Sequence, residues 1–496
     1  MHKMRILITV VMAALLVLSS AMSASAGSTA LDLTTNFTIV NLDDTVDGSG
    51  DPVPNAGEVT FWTESSPGIF EENTASFQLV GVGDQMQFRQ YWSTAPNPDL
   101  PEGPGSAVVA SSGRLAAIAQ IFANDQNPTQ RGAYTAFSAG ASQFFVPNVQ
   151  RMNPTRSGTG NSQIVVQNSG SGDVTGVTID LVAGDGSLVY TKNIDSIGAG
   201  QSFYYDLADE DEGNVPSPWV GSAVVRAGDG QVVVVSNLFT GLTLNTFNAF
   251  ADAAADTTVF VPYFASRLST MDGPSSTSVS IQNVSDTEIP AGGLVVKFYP
   301  NPQSPSGSYQ EFTNADAVGP SASFYVNPVT DMTIPANMYG SCVIESTQNV
   351  VAIVQVRATS TAMAGAYEAL GAASASENVV VPLIAKRLGN GLSTSVTVQN
   401  VSSEDAQVLL TYTPSSEYAG SQDPIELGPY TIAAGANLNH NHRTPGGVPE
   451  IPAGFVGSLT ISSDQPVVSY VLMSFVKDIN PSLGGDTYMA HDAIPF

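Results

Sequence analysis

The sequence has a single cysteine, four histidines and only 16 lysine and arginine residues in 496 positions. One thiol, Cys342, excludes any disulfide within the chain, so stability must come from hydrophobic cores, ions or neighbouring subunits. The formal net charge is −28. That charge argues against binding to nucleic acid, whose phosphates need a basic surface, and against docking on anionic lipid.

Motifs that carry catalysis are also missing. There is no G-x-S-x-G elbow, no H-E-x-x-H pair and no P-loop. Serine is abundant, but beyond the N-terminal segment only His440, His442 and His491 could activate it. This scarcity disfavours a hydrolase triad, and the sequence predicts a protein that is not an enzyme.

The N-terminal segment has the pattern of a secretory signal peptide. Lys3 and Arg5 precede an apolar run over residues 6–18, and Ala24-Ser25-Ala26 is a small-x-small cleavage site. The apolar run is short for a membrane-spanning helix. We therefore predict a signal peptide at 1–26, a mature chain from Gly27, and a secreted protein, extracellular or attached to the cell surface, with no direct membrane span.

A repeat is the most informative pattern present. A Gly-Ser pair opens an apolar strand four times, at spacings of 116, 119 and 117 residues; the pairs begin at Gly105, Gly221, Gly340 and Gly457. Three further landmarks recur in constant order. They are a strand ending in asparagine (Asn41, Asn168, Asn283, Asn400), a late aromatic (Tyr134, Phe247, Tyr367, Tyr488) and an apolar-proline pair (Val146-Pro147, Val261-Pro262, Val381-Pro382, Ile494-Pro495).

If the apolar-proline pair closes each unit, the chain divides into four. The predicted domains are β-sandwich repeats at 27–148, 149–263, 264–383 and 384–496. Alternating apolar and polar residues, as over 292–299, are typical of half-buried strands, and the turns between them have hairpin chemistry. We predict an all-β chain of four antiparallel β-sandwich domains, arranged as a rod of roughly 150 Å.

Few residues are candidates for a site. Asp206, Asp209 and Asp211 lie in an acidic loop that could bind calcium, although a solvated charge run is the simpler explanation. No other cofactor is predicted. His440 and His442 could share a strand face as metal ligands. However, His440 aligns with Phe88, Tyr205 and Val326 of the other copies, which favours a core substitution.

The landmarks resemble the tandem immunoglobulin-like β-sandwich repeats of bacterial extracellular and cell-surface proteins. The carrying features are the strand ending in Val-Gln-Asn, the Gly-Ser strand with its hairpin partner, and the Val-Pro strand. The Cys…Trp…Cys signature of antibody domains is absent. The resemblance implies a structural or adhesive role in a surface layer, filament or spacer.

An alternative is an array of carbohydrate- or protein-binding modules that use loops at the sandwich ends. Its candidate binding residues are Trp92 and Trp219, provided that they are exposed. The predicted partners are other copies of the chain, through edge strands, or other cell-surface components. One version has the terminal strand, residues 488–496, adding to a neighbouring copy, although closing its own domain is the simpler role.

Overall fold

A computed structural model describes residues 12–18, 33–43, 45–66, 69–89, 104–123, 130–155, 157–305, 307–328, 334–358 and 363–496. Antiparallel strands dominate these residues, and the only helical elements among them are three single 3-10 turns, at Leu207–Asp209, Asp252–Ala254 and Ala372–Ser374. The all-β prediction is confirmed. No helix in these ranges is long and apolar enough to cross a membrane.

The first two repeats each form two sheets. Repeat 1 comprises β1 (Met12–Leu18), β2 (Leu33–Asn41), β3 (Asn55–Ser66), β4 (Ile69–Leu79), β5 (Gln85–Arg89), β6 (Gly105–Ser111), β7 (Leu115–Ala123) and β8 (Arg131–Thr135). Repeat 2 comprises β9 (Gln143–Arg151), β10 (Asn153–Thr155), β11 (Gly158–Asn168), β12 (Val174–Val182), β13 (Leu188–Ile197), β14 (Ser202–Asp206), β15 (Trp219–Arg226), β16 (Val232–Phe239), β17 (Leu244–Asn248) and β18 (Phe250–Ala251).

In the last two repeats one long strand runs through both sheets. Repeat 3 comprises β19 (Asp256–Ser266), β20 (Leu268–Thr270), β21 (Gly273–Asn283), β22 (Leu294–Pro300), β23 (Gln310–Thr313), β24 (Ser323–Val326), β25 (Met338–Ala358), β26 (Met363–Glu368) and β27 (Leu370–Gly371). Repeat 4 comprises β28 (Ser376–Ala385), β29 (Leu392–Asn400), β30 (Ala406–Pro414), β31 (Ile425–Ile432), β32 (Asn437–Asn441), β33 (Val456–Phe475), β34 (Tyr488–Asp492) and β35 (Ile494–Pro495).

All four repeats share one strand plan. In one sheet the strand ending in asparagine pairs with a long apolar strand, as β11 pairs with β16, and the apolar strand then pairs with a short strand such as β17. In the other sheet the Gly-Ser strand lies between two partners, as β15 lies between β12 and β9. Apolar residues that alternate along these strands face inward, so a hydrophobic core lies between the sheets of each repeat.

The Val-Pro strand belongs to the sheet that follows it in sequence. Strand β9 pairs with β15, β19 with the first half of β25, and β28 with the first half of β33. The predicted boundaries at 148, 263 and 383 therefore each fall inside a strand. The division into four domains stays a prediction, but these strands open sheets rather than close them.

The predicted equivalence of Ile494-Pro495 and of Tyr488 with the landmarks of the other repeats is wrong. Ile494 pairs with Val380, as Phe250 pairs with Phe145, so Ile494-Pro495 is equivalent to Phe250-Ala251 and not to a Val-Pro strand. In β34 the residue equivalent to Phe247 is His491, not Tyr488. The terminal strands thus pair within repeat 4, as the simpler alternative held.

The four repeats close into a ring instead of extending as a rod. Strands β8, β17, β26 and β34, here called the axial strands, pack against one another in cyclic order, and β34 of repeat 4 packs against β8 of repeat 1. Ile118, Phe122 and Ala133 of repeat 1 lie in the same core as Met473 and Phe475 of repeat 4. Shared cores of this kind bury apolar side chains that a rod would expose at its two ends.

Candidate functional site

One hydrogen bond recurs at all four junctions between repeats. The serine of each Gly-Ser strand donates its hydroxyl to a main-chain carbonyl oxygen in the next repeat. The pairs are Ser106 with Gly200, Ser222 with Ser321 (2.5 Å), Ser341 with Gly435 (2.7 Å) and Ser458 with Gly83 (3.2 Å). The four serines are at most 1% exposed. The fourth pair joins repeat 4 to repeat 1 and completes the ring.

The accepting residue has the same unusual backbone in each repeat. Gly83, Gly200, Gly435 and Ser321 all have positive φ, between 60° and 85°. At three junctions a side chain of the preceding repeat packs on this residue. Trp62 lies on Gly200, Tyr299 on Gly435 and Thr413 on Gly83, and a Cβ added to Gly200 would meet the Trp62 ring at 2.8 Å. Glycine here satisfies both the left-handed turn and the close approach.

A glutamine strengthens three of the junctions. Gln282 donates to the carbonyl oxygens of Ala223 (3.3 Å) and Ser321 (3.0 Å), and Gln167 and Gln399 make the equivalent bonds. Repeat 1 has Val40 at this position, and Val40 packs in an apolar cluster with Val380 of repeat 4. At the junction between repeats 4 and 1 an apolar contact therefore replaces the glutamine hydrogen bonds.

The axial strands bring four equivalent residues together. By strand register these are Thr135, Asn248, Glu368 and Asp492, one from each repeat. The backbone N–H of Asn248 donates to Glu368 Oε1 (2.8 Å), and that of Glu368 donates to Asp492 Oδ2 (2.8 Å). Asn248 Nδ2 donates to Thr135 Oγ1 (2.9 Å). We call these four residues the axial cluster.

The axial cluster contains two carboxyl groups within hydrogen-bonding reach of each other. Burial raises the pKa of Glu368, and burial together with the charge of Glu368 raises the pKa of Asp492 well above its ordinary value. Asn248 Oδ1 and Asp492 Oδ1 have no hydrogen-bond partner in the described structure. The arrangement suits two carboxyl groups that share one proton, because two adjacent buried carboxylates repel each other.

A second polar contact joins the repeats at the other end of the axial strands. The fully buried carboxylate of Asp486 accepts backbone N–H groups from Leu244 (3.2 Å), Ala364 (3.0 Å) and Tyr488 (3.1 Å). Arg131 of repeat 1 donates to the Asp486 carbonyl oxygen. Asp486 is thus bonded to all four repeats.

The predicted calcium loop has other contacts. Asp206 Oδ1 accepts the Ala208 N–H (2.9 Å) and caps the turn Leu207–Asp209, and burial raises the pKa of Asp206 to about 6. Asp209 and Asp211 are exposed. Within the described ranges no group of three or more His, Cys, Asp or Glu side chains is placed to hold a metal. Calcium binding here stays a prediction.

The predicted binding tryptophans do not form an exposed pair. Trp92 lies outside the described residues. Trp219 is 8% exposed and packs in the core of repeat 2, so the exposure that the binding hypothesis needs is absent there. Sequence reasoning missed Trp62, which packs on Gly200. The recurring glycine was a signal for the junction but not for this side chain.

The histidine pair is a core substitution, as the alignment predicted. His440 pairs with Val396 in the register in which Phe88 pairs with Phe37 and Tyr205 with Ile164. Burial lowers the pKa of His440 to about 4. Burial and then the neighbouring His440 lower that of His442 to about 3. The Tyr412 hydroxyl lies 3.1 Å from a ring nitrogen of each. Cys342 is fully buried in the core of repeat 3.

The basic residues that follow the Val-Pro pairs bind mainly carbonyl oxygens rather than carboxylates. Arg151 donates to the main chain of Leu207 (3.0 Å) and Val215 (2.6 Å). Lys386 donates to that of Gly447 and Val448, both at 2.7 Å. Arg387 also pairs with Asp478 at 2.9 Å. These cations hold loops of their own repeat.

Comparisons with known proteins give little. No protein-family profile matches the chain, and no curated protein matches it. One solved structure, an Escherichia coli alpha-2-macroglobulin activated by porcine elastase, is 11% identical. The alignment covers 97% of this chain and 44% of that one, at a TM-score of 0.10. A score this low carries no argument about fold or function.

Proposed function

We propose that this chain is a secreted, non-catalytic structural or adhesive protein of the cell surface or extracellular matrix. The observation that carries the proposal is the serine–carbonyl hydrogen bond repeated at all four junctions. The residues that the copies share are used to hold the copies together. Such agreement is expected of a rigid building block, because its role depends on shape.

The polar interior supports the same proposal. The buried carboxyl groups of the axial cluster and of Asp486 bind main-chain groups of other repeats. These carboxyl groups therefore hold neighbouring repeats together. The acidic surface, with a net charge of −28, keeps an exported protein soluble and gives it affinity for divalent cations.

Immunogold electron microscopy of intact cells, combined with the mass of the purified natural protein, tests the proposal. We expect label on the cell surface or in extracellular material and an N-terminus at Gly27. Label confined to the cell interior, on a chain that still carries residues 1–26, would overturn it.

A binding role is the second candidate, and one surface favours it. Val46, Val53, Val80 and Val82 of repeat 1 are between 39% and 57% exposed. They lie in two loops at one end of the sandwich, where Val46 bridges Pro52 and Gly81 approaches the Pro52 ring. Exposed apolar loops of this kind mark interaction sites.

A glycan array probed with the mature protein tests this second candidate. Binding that is lost in the Val46→Ser, Val80→Ser double variant, but kept in Leu188→Ser, would support it. Leu188 is a suitable control because it is 62% exposed in repeat 2. Binding to no glycan, or equal binding by all three proteins, would count against it.

A further inference from the structure

The first repeat obtains its opening strand from an unusual source. In repeats 2, 3 and 4 the outer edge of the Gly-Ser strand pairs with the Val-Pro strand, as Val224 pairs with Phe145. In repeat 1 the same edge of β6 pairs with β1, with Val108 opposite Leu15. Strand β1 consists of residues 12–18, which lie inside the segment predicted to be a signal peptide.

Removal of residues 1–26 would leave repeat 1 without this strand. Only six residues then precede Leu33, the first residue of β2. In repeat 2 the paired residue Phe145 lies 23 positions before Asn168, whereas Gly27 lies 14 positions before the equivalent Asn41. The mature N-terminus therefore starts too late in the repeat to supply the strand itself.

The edge that would be left open is well formed. Ala107 and Val109 of β6 are fully buried, and β3 pairs with the other edge of β6 along its whole length. An open edge presents unpaired main-chain N–H and C=O groups, which bind another strand readily. Strand addition of this kind derives its affinity from main-chain hydrogen bonds and its specificity from the pockets for alternate side chains.

The molecule itself shows which strand fits this edge. The three internal occupants read FFVPNV over 144–149, VFVPYF over 259–264 and VVVPLI over 379–384. Strand β1 reads MAALLVL. All four segments are uncharged, and their residues are apolar except for Asn148 in the first and Tyr263 in the second.

A cavity of about 250 Å³ lies at the junction between repeats 4 and 1. Its lining includes Ala116, Phe137 and Ile494. Phe137 is equivalent to Phe250, whose backbone pairs with the Val-Pro strand of repeat 2. The residue of repeat 1 that is equivalent to this neighbour of the opening strand therefore lines the cavity.

We propose that the mature protein accepts, on the β6 edge, an extended uncharged apolar strand from a partner polypeptide, antiparallel to β6. This inference rests on the export cleavage assumed in the proposed function, and it names the kind of partner that a structural subunit would bind. The three Val-Pro strands of the chain are already paired within their own repeats, so none of them is the donor strand.

A peptide of residues 143–151, QFFVPNVQR, serves as the probe. We expect saturable binding of the fluorescently labelled peptide to purified 27–496, measured by anisotropy. Binding should be weaker by roughly tenfold or more for the chain of residues 1–496, whose edge β1 already fills. The same peptide methylated on its backbone nitrogens is the matched control and should not bind, because it cannot donate the N–H hydrogen bonds of a strand ladder.

Hydrogen exchange locates the bound peptide. Among residues 105–111, the amides that point away from β3 should exchange rapidly in 27–496 and slow down when the peptide is added. Equal peptide binding by 27–496 and 1–496, protection confined to other strands, or no binding by a folded 27–496 would each overturn the proposal.

A second variant covers the case in which 27–496 does not fold alone. Here QFFVPNVQR is fused ahead of Gly27 through a flexible linker, and a version with lysine at two of its apolar positions is the control. Folding of the first fusion but not of the second would support the proposal, and equal behaviour would overturn it. None of these measurements depends on where the protein resides in the cell, so they can fail independently of the proposed function.

Discussion

The hydroxyl of Ser458 donates a hydrogen bond to the carbonyl oxygen of Gly83, 375 residues earlier in the chain, at 3.2 Å. The same contact joins each earlier pair of repeats, so the last repeat meets the first as its neighbours meet each other. A ring follows from this relationship. Each repeat then has two neighbours, and none is left with an uncovered junction surface.

Small-angle X-ray scattering distinguishes the ring from a rod. A compact chain of about 470 residues has a radius of gyration of about 23 Å, and a rod of roughly 150 Å has one of about 43 Å. We expect a value of about 23–28 Å for the mature protein, because a ring is slightly less compact than a sphere. A value near that of the rod would contradict ring closure.

The fold of each repeat could be predicted from the sequence because its determinants are local. Alternation along residues such as 292–299 and the recurring Gly-Ser pair mark strands wherever they occur. The equivalence of His440 with Phe88 and Tyr205 also followed from sequence, and the strand register confirmed it. Each of these inferences depends on a local pattern that recurs from one copy to the next.

The ring, the points at which one repeat ends and the next begins, and the axial cluster could not be predicted from the sequence, for physical reasons. Ser458 and Gly83 are too distant in sequence for any pattern to connect them. Ile494-Pro495 resembles a Val-Pro pair as a dipeptide, and only its hydrogen bonds to β28 show that it differs. Thr135, Asn248, Glu368 and Asp492 share no chemistry that an alignment would notice.

Gly200 tests the tight contact at the junction between repeats 1 and 2. Gly200→Ala forces a side chain into a left-handed conformation and against the Trp62 ring, so we expect a loss of about 2–4 kcal/mol in the free energy of unfolding. Gly292→Ala is the control, since Gly292 has the same φ of 72° and nothing within 4 Å of its added Cβ. Gly292→Ala should lower the free energy of unfolding by only about 1 kcal/mol, the cost of placing a side chain in the left-handed backbone conformation.

Urea denaturation of both variants measures the difference. Equal losses would mean that the Trp62 contact contributes nothing. A further variant, Gly200→Ala with Trp62→Leu, should recover part of the loss, because the smaller side chain makes room for the added methyl group.

Glu368→Gln tests proton sharing in the axial cluster. The raised pKa values of Glu368 and Asp492 mean that the folded state binds more protons than the unfolded state above about pH 4. Their contribution to stability is therefore present at acid pH and is lost as pH rises through the folded pKa values. The slope is at most about 1.4 kcal/mol per pH unit for one proton. Glutamine keeps an acceptor for the Asn248 N–H, can donate to Asp492 and does not titrate. The free energy of unfolding of Glu368→Gln should therefore fall less steeply as pH rises.

Unfolding free energies between pH 5 and 9 measure this effect, with Glu377→Gln as the control because Glu377 is exposed. An unchanged slope in Glu368→Gln would contradict proton sharing. So would a stabilisation of the natural chain by calcium at pH 8 that Glu368→Gln removes, since the cluster would then bind a cation through its carboxylate and amide oxygens.

His440→Phe tests the acid limb of stability, where the sign is opposite. The pKa of His440 is about 4 in the folded state against 6.5 ordinarily, so below pH 6.5 protons bind the unfolded chain first. Its contribution is present above pH 6.5 and is lost as pH falls toward 4. Phenylalanine occupies the equivalent position in repeat 1, fits a core and binds no proton. We therefore expect a shallower loss of stability between pH 6.5 and 4 than in the natural chain.

Phe88→Leu is the matched control, because it changes packing at the same position of repeat 1 without changing any titration. It should lower stability equally at every pH. A pH-independent effect of His440→Phe as well would show that folding does not lower the pKa of His440.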